Sequence, residues 1–139
     1  MLLTRASEYA LLSLDKIRQA DRPLGAEHLA RELCIPKSFL AKILQSLAKE
    51  KIIVSHRGAH GGFALERDLD GISVYDIVLA AEGKAATVFD CTQYGDTCPN
   101  GIIGDCAISP FLTRFQMRID LFLRELTLDQ IFTDPRKIA

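Results

Sequence analysis

The sequence predicts a mostly α-helical chain with a small β-hairpin and a long helix near its C-terminus. Two observations lead to this prediction. Apolar residues recur at intervals of three and four along most of the chain, and one glycine-rich turn separates two short runs of β-type residues. The length of 139 residues, with 48% hydrophobic and 25% charged residues, is typical of about one globular domain.

The first part of the chain predicts three helices. The apolar period covers residues 2–19 and is followed by the turn sequence ADRPLG, and a second helical pattern covers residues 26–33. Pro36 suits the first position of a third helix, whose apolar residues we expect to face the core: Phe39, Leu40, Ile43, Leu44 and Leu47. Cys34, in the intervening turn, is expected to be a small buried residue. Two short helices joined by a turn of about four residues form a helix-turn-helix.

A β-hairpin is predicted directly after the third helix. Residues 52–55 and 63–65 are β-type runs, and the turn between them contains Arg57, Gly58, His60, Gly61 and Gly62. A glycine-rich turn can also bind phosphate, but this one joins two strands and is not followed by Gly-Lys-Ser/Thr. The hairpin is therefore predicted to be the wing of a winged helix-turn-helix.

The second half of the chain predicts a helix, a loop and a long helix. Ser73 is placed to cap a helix that continues to about residue 81, and residues 82–105 keep no period, which predicts a functional loop. Pro110 is placed near the start of the long helix, whose apolar stripe is Phe111, Phe115, Ile119, Phe122 and Leu126, with Leu112 and Leu123 beside it. This stripe is expected to pack on the N-terminal helix or on a second copy of the chain. Thr127 is expected to cap a short closing helix.

Charge and cysteine placement narrow the function classes. The net charge is −1, but residues 35–60 hold five basic residues and one acidic residue, a pattern typical of either a solvated face or a nucleic-acid surface. The N-terminal region lacks a membrane span or a cleavage site, so we expect a cytoplasmic protein without a membrane partner.

In a reducing compartment, clustered cysteines are more often metal ligands or redox sensors than permanent disulfides. No catalytic Ser/His/Asp order, HExxH or Walker loop is present, which argues against an enzyme.

Six features in a fixed order resemble a known family: LTRASEYALLSL, IPKSFLAKIL, HRGAHGGFAL, ISVYDIVLAAEG, a segment with three cysteines, and FLRELTLDQI. Together they resemble the IscR/NsrR-type, or Rrf-two, family of winged-helix iron-sulfur transcription regulators over nearly the whole chain. The resemblance implies a homodimer that binds a palindromic operator in double-stranded DNA, with an iron-sulfur cluster whose state sets the affinity. It implies a DNA-binding domain over residues 1–82, a cluster loop over 83–108, and a dimerisation helix and tail over 109–139.

The helix-turn-helix predicts which residues contact DNA. Early exposed residues of the second helix reach base edges while neighbouring basic residues bind phosphate, which favours Ser38 and Ala41 for bases and Lys37 and Lys42 for phosphates. Arg57 resembles the wing arginine that enters the minor groove in the family. The wing glycines are expected to let the hairpin approach the duplex, and these are Gly58, Gly61 and Gly62.

The candidate metal ligands are Cys91, Cys98 and Cys106. They are separated by six and seven residues, which is wider than a zinc knuckle, and thiolates suit iron-sulfur clusters, zinc and copper(I) alike. A 2Fe-2S or 4Fe-4S cluster takes four ligands. Some relatives place a histidine where this chain has Ser109, and others use a carboxylate from the partner's N-terminal helix, where this chain has Glu8. The alternatives are a solvent-exposed Glu8 and a metal-free thiol switch.

Overall fold

The computed structural model describes residues 3–89, 91, 98–102 and 106–133. Within these ranges the chain forms six helices, a short 3₁₀ turn at Leu69–Gly71, and one two-stranded antiparallel sheet. In chain order the elements are α1 (Arg5–Gln19), α2 (Ala26–Leu33), α3 (Lys37–Lys49), β1 (Ile53–His56), β2 (Gly62–Leu65), α4 (Val74–Glu82), α5 (Ser109–Glu125) and α6 (Leu128–Thr133). The predicted fold class is confirmed.

Local side-chain chemistry sets several helix ends. Thr4 caps α1, because its hydroxyl accepts a hydrogen bond from the backbone N–H of Ala6 at 3.2 Å. A capping box starts α4, in which the side chains of Ser73 and Asp76 each accept a hydrogen bond from the other residue's backbone N–H. Pro36 is the N-cap of α3 and not its first residue, so α3 begins one position later than predicted.

Two predictions about burial in the helix-turn-helix are wrong. Cys34 is exposed, because it ends α2 in the left-handed conformation (φ 54°) and donates its N–H to the carbonyls of Ala30 and Arg31. Phe39 keeps 41% of its surface exposed and contacts the edge of the Tyr9 ring, with centroids 5.7 Å apart. The core beneath α3 is filled by its other apolar residues, and Phe39 lies at the border of the α1–α3 contact.

The hairpin is fixed to the connection between α1 and α2. Phe63 and Leu24 exchange backbone hydrogen bonds of 3.0 and 2.8 Å, which adds a short third strand-like segment beside β2. A Cβ on Gly62 would lie 2.5 Å from the Leu24 backbone, and one on Gly61 would lie 2.5 Å from the His56 carbonyl oxygen. These two glycines are therefore required by contacts within the protein, which is a different reason from the approach to DNA that we expected.

The main hydrophobic core is formed by residues of helices α1, α2, α3, α4 and α6 and of the hairpin. Its fully buried large side chains include Leu14, Leu29, Leu40, Leu44, Leu47, Ile52, Ile53, Ile72, Ile77 and Leu128. The chain returns to this core after α5, because the N–H groups of Leu128 and Val74 bond to the carbonyls of Ile72 and Leu126 at 2.9 and 2.8 Å. The closing helix is thus part of the same packed unit as the helix-turn-helix.

Helix α5 packs on α4 through two residues of the predicted stripe, Ile119 and Leu126, and through Leu123 beside it. Leu112 and Leu123 are buried, and Leu123 packs with Val74, Val78 and Ala86. The predicted aromatic residues remain outside, with Phe111 59% and Phe122 53% exposed. Within the described part of the chain, no helix is both long and apolar enough to cross a membrane.

Candidate nucleic-acid interface and cysteine segment

The four residues of α3 that the sequence predicts for DNA contact lie on the side of the helix that faces away from the core. Lys37, Ser38 and Lys42 are exposed and Ala41 is half-buried, whereas the opposite side of the helix is buried in the core. The apolar period fixes this orientation, because Leu40, Ile43, Leu44 and Leu47 occupy one side of the helix. The second helix of the helix-turn-helix therefore presents a polar, basic surface to solvent.

Gln45 is an outward residue of α3 that the sequence analysis did not select. It is exposed, and it lies two helical turns after Ser38 on the same side of the helix. Base contacts of helix-turn-helix proteins are made mostly by the N-terminal residues of the second helix, and Gln45 lies beyond them. The seven-residue spacing from Ser38 was the signal that could have identified it.

Lys37 is held by a carboxylate on the neighbouring helix. Its Nζ lies 3.3 Å from Oε2 of Glu27, in the first turn of α2, and both side chains are mostly exposed. An exposed pair of this kind contributes little to stability. Its relevance is electrostatic, because it places a negative charge beside a residue predicted to bind phosphate.

Glu27→Gln is expected to raise the affinity for duplex DNA about threefold at low salt, because it removes a charge that repels phosphate and competes for Lys37. The gain should shrink as salt increases. Fluorescence anisotropy with a labelled duplex over a salt series measures it. Glu32→Gln, on the same helix but paired with Lys16, is the matched control. Equal affinities of Glu27→Gln and the unmodified protein at low salt would contradict this prediction.

The turn of the wing exposes Arg57 and Gly58. Arg57 follows directly after β1, and Gly58 has φ 110° with open space where a Cβ would lie. The hairpin is joined to the end of α3 through Lys51, which takes the left-handed conformation (φ 57°), and through a 3.0 Å hydrogen bond from the Ile52 N–H to the Leu47 carbonyl. The start of the wing is therefore hydrogen-bonded to the second helix of the helix-turn-helix.

The candidate ligand Glu8 lies in the first turn of α1. Its side chain is 54% exposed, and its carboxylate is 3.1 Å from the guanidinium of Arg5. The structure thus places Glu8 at the surface, where a group from outside its own chain could reach it.

The three cysteines of the segment after α4 are half-buried free thiols. The backbone carbonyl of Cys98 accepts a hydrogen bond from the Gly101 N–H, and the backbone carbonyl of Cys106 accepts one from the N–H of Ser109 at the start of α5. The predicted loop also contains residues 90, 92–97 and 103–105, which lie outside the described residues. Among the residues that are described, no three His, Cys, Asp or Glu side chains are grouped closely enough to hold a metal ion. The structure therefore does not bring the cysteines and Glu8 of one chain together.

Gln116 holds the entrance of the cysteine segment against α5. Its Oε1 accepts a hydrogen bond from the Val88 N–H at 2.9 Å, and its Nε2 donates to the Ala86 carbonyl at 2.9 Å and to Asp120 at 2.8 Å. Sequence reasoning missed this residue because its partners lie 28 and 30 residues away. One amide thus connects the backbone before Cys91 to the long helix.

Glu82 holds the other side of the segment against α1. As the last residue of α4, its carboxylate accepts hydrogen bonds from the Thr4 N–H at 2.9 Å, the Thr4 hydroxyl at 3.0 Å and the Ser7 hydroxyl. Burial acts to raise the pKa of Glu82, but the hydrogen bonds from Ser7 and Thr4 and the charge of Lys84 outweigh it and lower the pKa. The ionised carboxylate therefore stabilises the fold.

Glu82→Gln is expected to lower the free energy of unfolding at pH 7 by about 1 kcal/mol, because the carboxylate accepts charge-assisted hydrogen bonds but is partly solvated. Its pKa is lower in the folded protein than the unfolded value of 4.5, so its contribution is present above that pH and is lost as the pH falls below it. Thermal unfolding at pH 7 and at about pH 3 should show a difference that shrinks in acid. Glu125→Gln, at the exposed end of α5, is the control. A deficit of the same size at both pH values would show that charge is not the cause.

A helix-turn-helix with a polar second helix and an attached hairpin wing is the architecture of winged-helix DNA-binding proteins. Residues 3–134 match the family model of Rrf2, described as an iron-dependent transcriptional regulator, and the chain belongs to this family. The family and its named relatives are transcription regulators and not enzymes. The resemblance stated from the sequence is confirmed.

Two relatives illustrate how far the similarity extends. A putative HTH-type transcriptional regulator of Aquifex aeolicus is 34% identical over 138 residues, covering 99% of this chain and 95% of the relative. YffB of Lactococcus lactis, also a putative HTH-type regulator, is 40% identical over 78 residues, and this match spans 56% of the chain and about half (49%) of that protein. The full-length match includes the cysteine segment and α5.

Solved structures confirm the fold. IscR of T. potens superposes with a TM-score of 0.69 at 20% identity, covering 97% of this chain and 88% of the other. The oxidised form of CymR from Staphylococcus aureus has a TM-score of 0.72 at 19% identity, covering 95% of this chain and 96% of the other. The arrangement of helices and hairpin is therefore shared with two differently named regulators.

Proposed function

We propose that this Rrf2-family regulator is a homodimer that binds a palindromic operator, with an affinity set by an iron-sulfur cluster. The proposed ligands are Cys91, Cys98 and Cys106, with Glu8 of the partner subunit as the fourth. The observation that supports this most is the presence of three free, half-buried thiols in one segment whose start is tied to both α1 and α5. The family description as iron-dependent agrees with it.

The donor set fits an iron-sulfur cluster. Three thiolates suit iron, and a carboxylate is a harder and more exchangeable ligand, which suits a reactive site. A bound cluster would supply a centre that reacts with oxidants or nitric oxide. Glu8 would leave its ion pair with Arg5 to bind the metal. Because this pair is exposed, breaking it costs little free energy.

The outward face of α5 supports the homodimer. It exposes Phe111, Phe115 and Phe122, which lie within about 40° of one another around the helix, and also Met117 and Leu121 on the adjoining side. Phe111 and Phe115 stack with centroids 5.8 Å apart, and Phe89 adds a third ring 6.2 Å from Phe115. Apolar patches of this kind on a regulator mark an interaction site, and a second copy provides the matching surface by two-fold symmetry.

The proposed DNA contacts are those predicted from the sequence. Lys37 and Lys42 would bind phosphates, Ser38 and Ala41 would face bases, and Arg57 would enter the minor groove. Gly58 would allow the wing to approach the duplex closely, while Gly61 would shape the turn that presents Arg57. Two such heads in a dimer would match the two halves of a palindrome.

Two contacts give the cluster a physical route to the DNA-binding surface. Glu82 links the end of α4 to the first turn of α1, and Tyr9 of α1 contacts Phe39 of α3. Gln116 links the same segment to α5, and thus to the proposed partner. Binding of the cluster would order the segment and favour one arrangement of these contacts, and loss of the cluster would favour another.

Iron and acid-labile sulfide per chain, measured on protein purified without oxygen, test the proposal. Matched amounts of iron and sulfide are expected, with strong loss of both in Cys98→Ala. Cys34→Ala is the matched control, because Cys34 is exposed and outside the segment. Operator affinity should also differ between the cluster-loaded and cluster-free protein. Equal affinities of the two forms would rule out the proposed regulation.

A metal-free thiol switch is the second candidate. It is supported by the three free thiols in one segment and by the shared fold with a regulator whose oxidised form has been crystallised. Two thiols would lose two protons and two electrons to an oxidant such as peroxide and form a disulfide. This candidate predicts that peroxide changes the DNA affinity of iron-free protein, together with a mass loss of two hydrogen atoms. The cluster proposal predicts no such response without iron.

A further inference from the structure

The most outward line of α3 contains a side chain with unused hydrogen-bonding groups. At about 100° per residue, Ser38, Gln45 and Lys49 lie within about 40° of one another on the helix surface. All three are exposed, and the buried residues Leu40 and Leu47 lie on the opposite side. Gln45 therefore lies on the exposed face, about 20° from Ser38 around the helix and between Lys42 and Lys49 along it.

The carboxamide of Gln45 has no hydrogen-bond partner among the described residues. It offers a donor and an acceptor side by side, which neither lysine nor serine provides in this geometry. Helical side chains lean toward the N-terminus, so the Gln45 side chain extends over the position four residues earlier. That position is Ala41, whose methyl group leaves room that a larger side chain would fill.

We propose that Gln45 is a specificity-determining residue that recognises an adenine in the major groove through a bidentate hydrogen bond. The proposal rests on the proposed DNA-binding function of α3. A glutamine amide matches the N6 donor and N7 acceptor of adenine, which no other base presents in that order. Gln45 lies about 10 Å along the helix from Ser38, which corresponds to a base about three positions away.

The neighbouring side chains assign different roles along this face. Lys42 and Lys49 flank Gln45 and carry the charge that phosphates require. A neutral amide between them adds little sequence-independent affinity, because it releases no counterions. Its contribution is therefore expected in base preference and not in salt dependence.

The test uses selection from a pool of randomised duplexes with the full-length protein, followed by affinity measurements on the selected sequence. Gln45→Ala is expected to lower affinity for the selected sequence by about tenfold or more and to lose the preference for adenine at one position per half-site. Gln45→Glu, which can only accept, should change that preference to cytosine. Gln19→Ala, at the exposed end of α1, is the control for removal of a surface glutamine.

The outcomes separate this proposal from the one it rests on. Selection of the same sequence by Gln45→Ala and the unmodified protein would overturn the role of Gln45 and leave DNA binding intact. An equal loss on selected and random duplexes would also overturn it, because that result indicates a backbone contact. If the unmodified protein selects no sequence, the proposed function fails and the inference fails with it. Circular dichroism and thermal unfolding confirm that each variant is folded.

Discussion

Phe122→Asp is expected to convert the protein to a monomer and to lower operator affinity by about 100-fold. Phe122 is 53% exposed on the same side of α5 as Phe111 and Phe115, and burying a carboxylate there against a second copy carries a large desolvation cost. A monomer contacts only half of a palindrome, so the affinity gained by binding two half-sites together is lost. Sedimentation velocity measures the mass, and electrophoretic mobility shift measures the affinity.

The position of Phe122 allows two controls for this prediction. Thr113→Asp introduces the same charge at an exposed position of α5 away from the aromatic side chains, and it should leave the dimer intact. Leu123→Ala removes the buried neighbour that packs on Val74 and Val78, and it should lower the free energy of unfolding by about 3 kcal/mol. Phe122→Asp should not cause a loss of this kind, because Phe122 is exposed and contributes no buried contact to the core. A dimer that persists in Phe122→Asp would exclude this face as the interface.

Arg57→Ala is expected to lower operator affinity by about tenfold and to remove a preference for A·T-rich sequence outside the major-groove contacts. The reason is that Arg57 stands at the exposed turn of a hairpin that Leu24 and Ile52 hold in place, so the guanidinium is presented with little loss of freedom on binding. Affinities for duplexes that differ only in the flanking base pairs measure this preference.

Arg57→Lys separates charge from shape in the same experiment. It keeps the positive charge but lacks the planar guanidinium, so part of the affinity should return without the full A·T preference. Arg22→Ala removes an exposed arginine outside the hairpin and is the control. Arg57→Ala with an unchanged preference for flanking sequence would place the wing away from the minor groove.

The sequence predicts the helix-turn-helix closely because its signals are local. The apolar period and the turn residues gave the exact span of α2 and the start of α3 to within one position, and the strands differ by only one residue. These elements depend on residues a few positions apart, where periodicity and turn chemistry are informative. The polar face of α3 follows from the same period.

The features that the sequence did not predict depend on distant contacts. Glu82 meets Thr4 across 78 residues, and Gln116 meets Val88 across 28, so no local pattern marks either pair. The division of the apolar residues of α5 between a buried and an exposed part has a related cause. Regular spacing does not tell which part of the apolar arc α4 covers. Leu123 packs with Val74 and Val78, and Ile119 and Leu126 pack against this cluster, whereas Phe111 and Phe122 of the same stripe remain exposed.

The left-handed position of Cys34 has a practical consequence for thiol chemistry. Because its sulfur is exposed at the turn between α2 and α3, alkylating reagents and oxidants will modify it alongside the thiols of the cysteine segment. One of the chain's four cysteines would then contribute a constant background to every thiol count. Glycine is the residue best suited to a φ of 54°, so Cys34→Gly should remove this background while relieving about 1 kcal/mol of backbone strain. Alkylation of that variant followed by mass spectrometry would count only the cysteines at 91, 98 and 106.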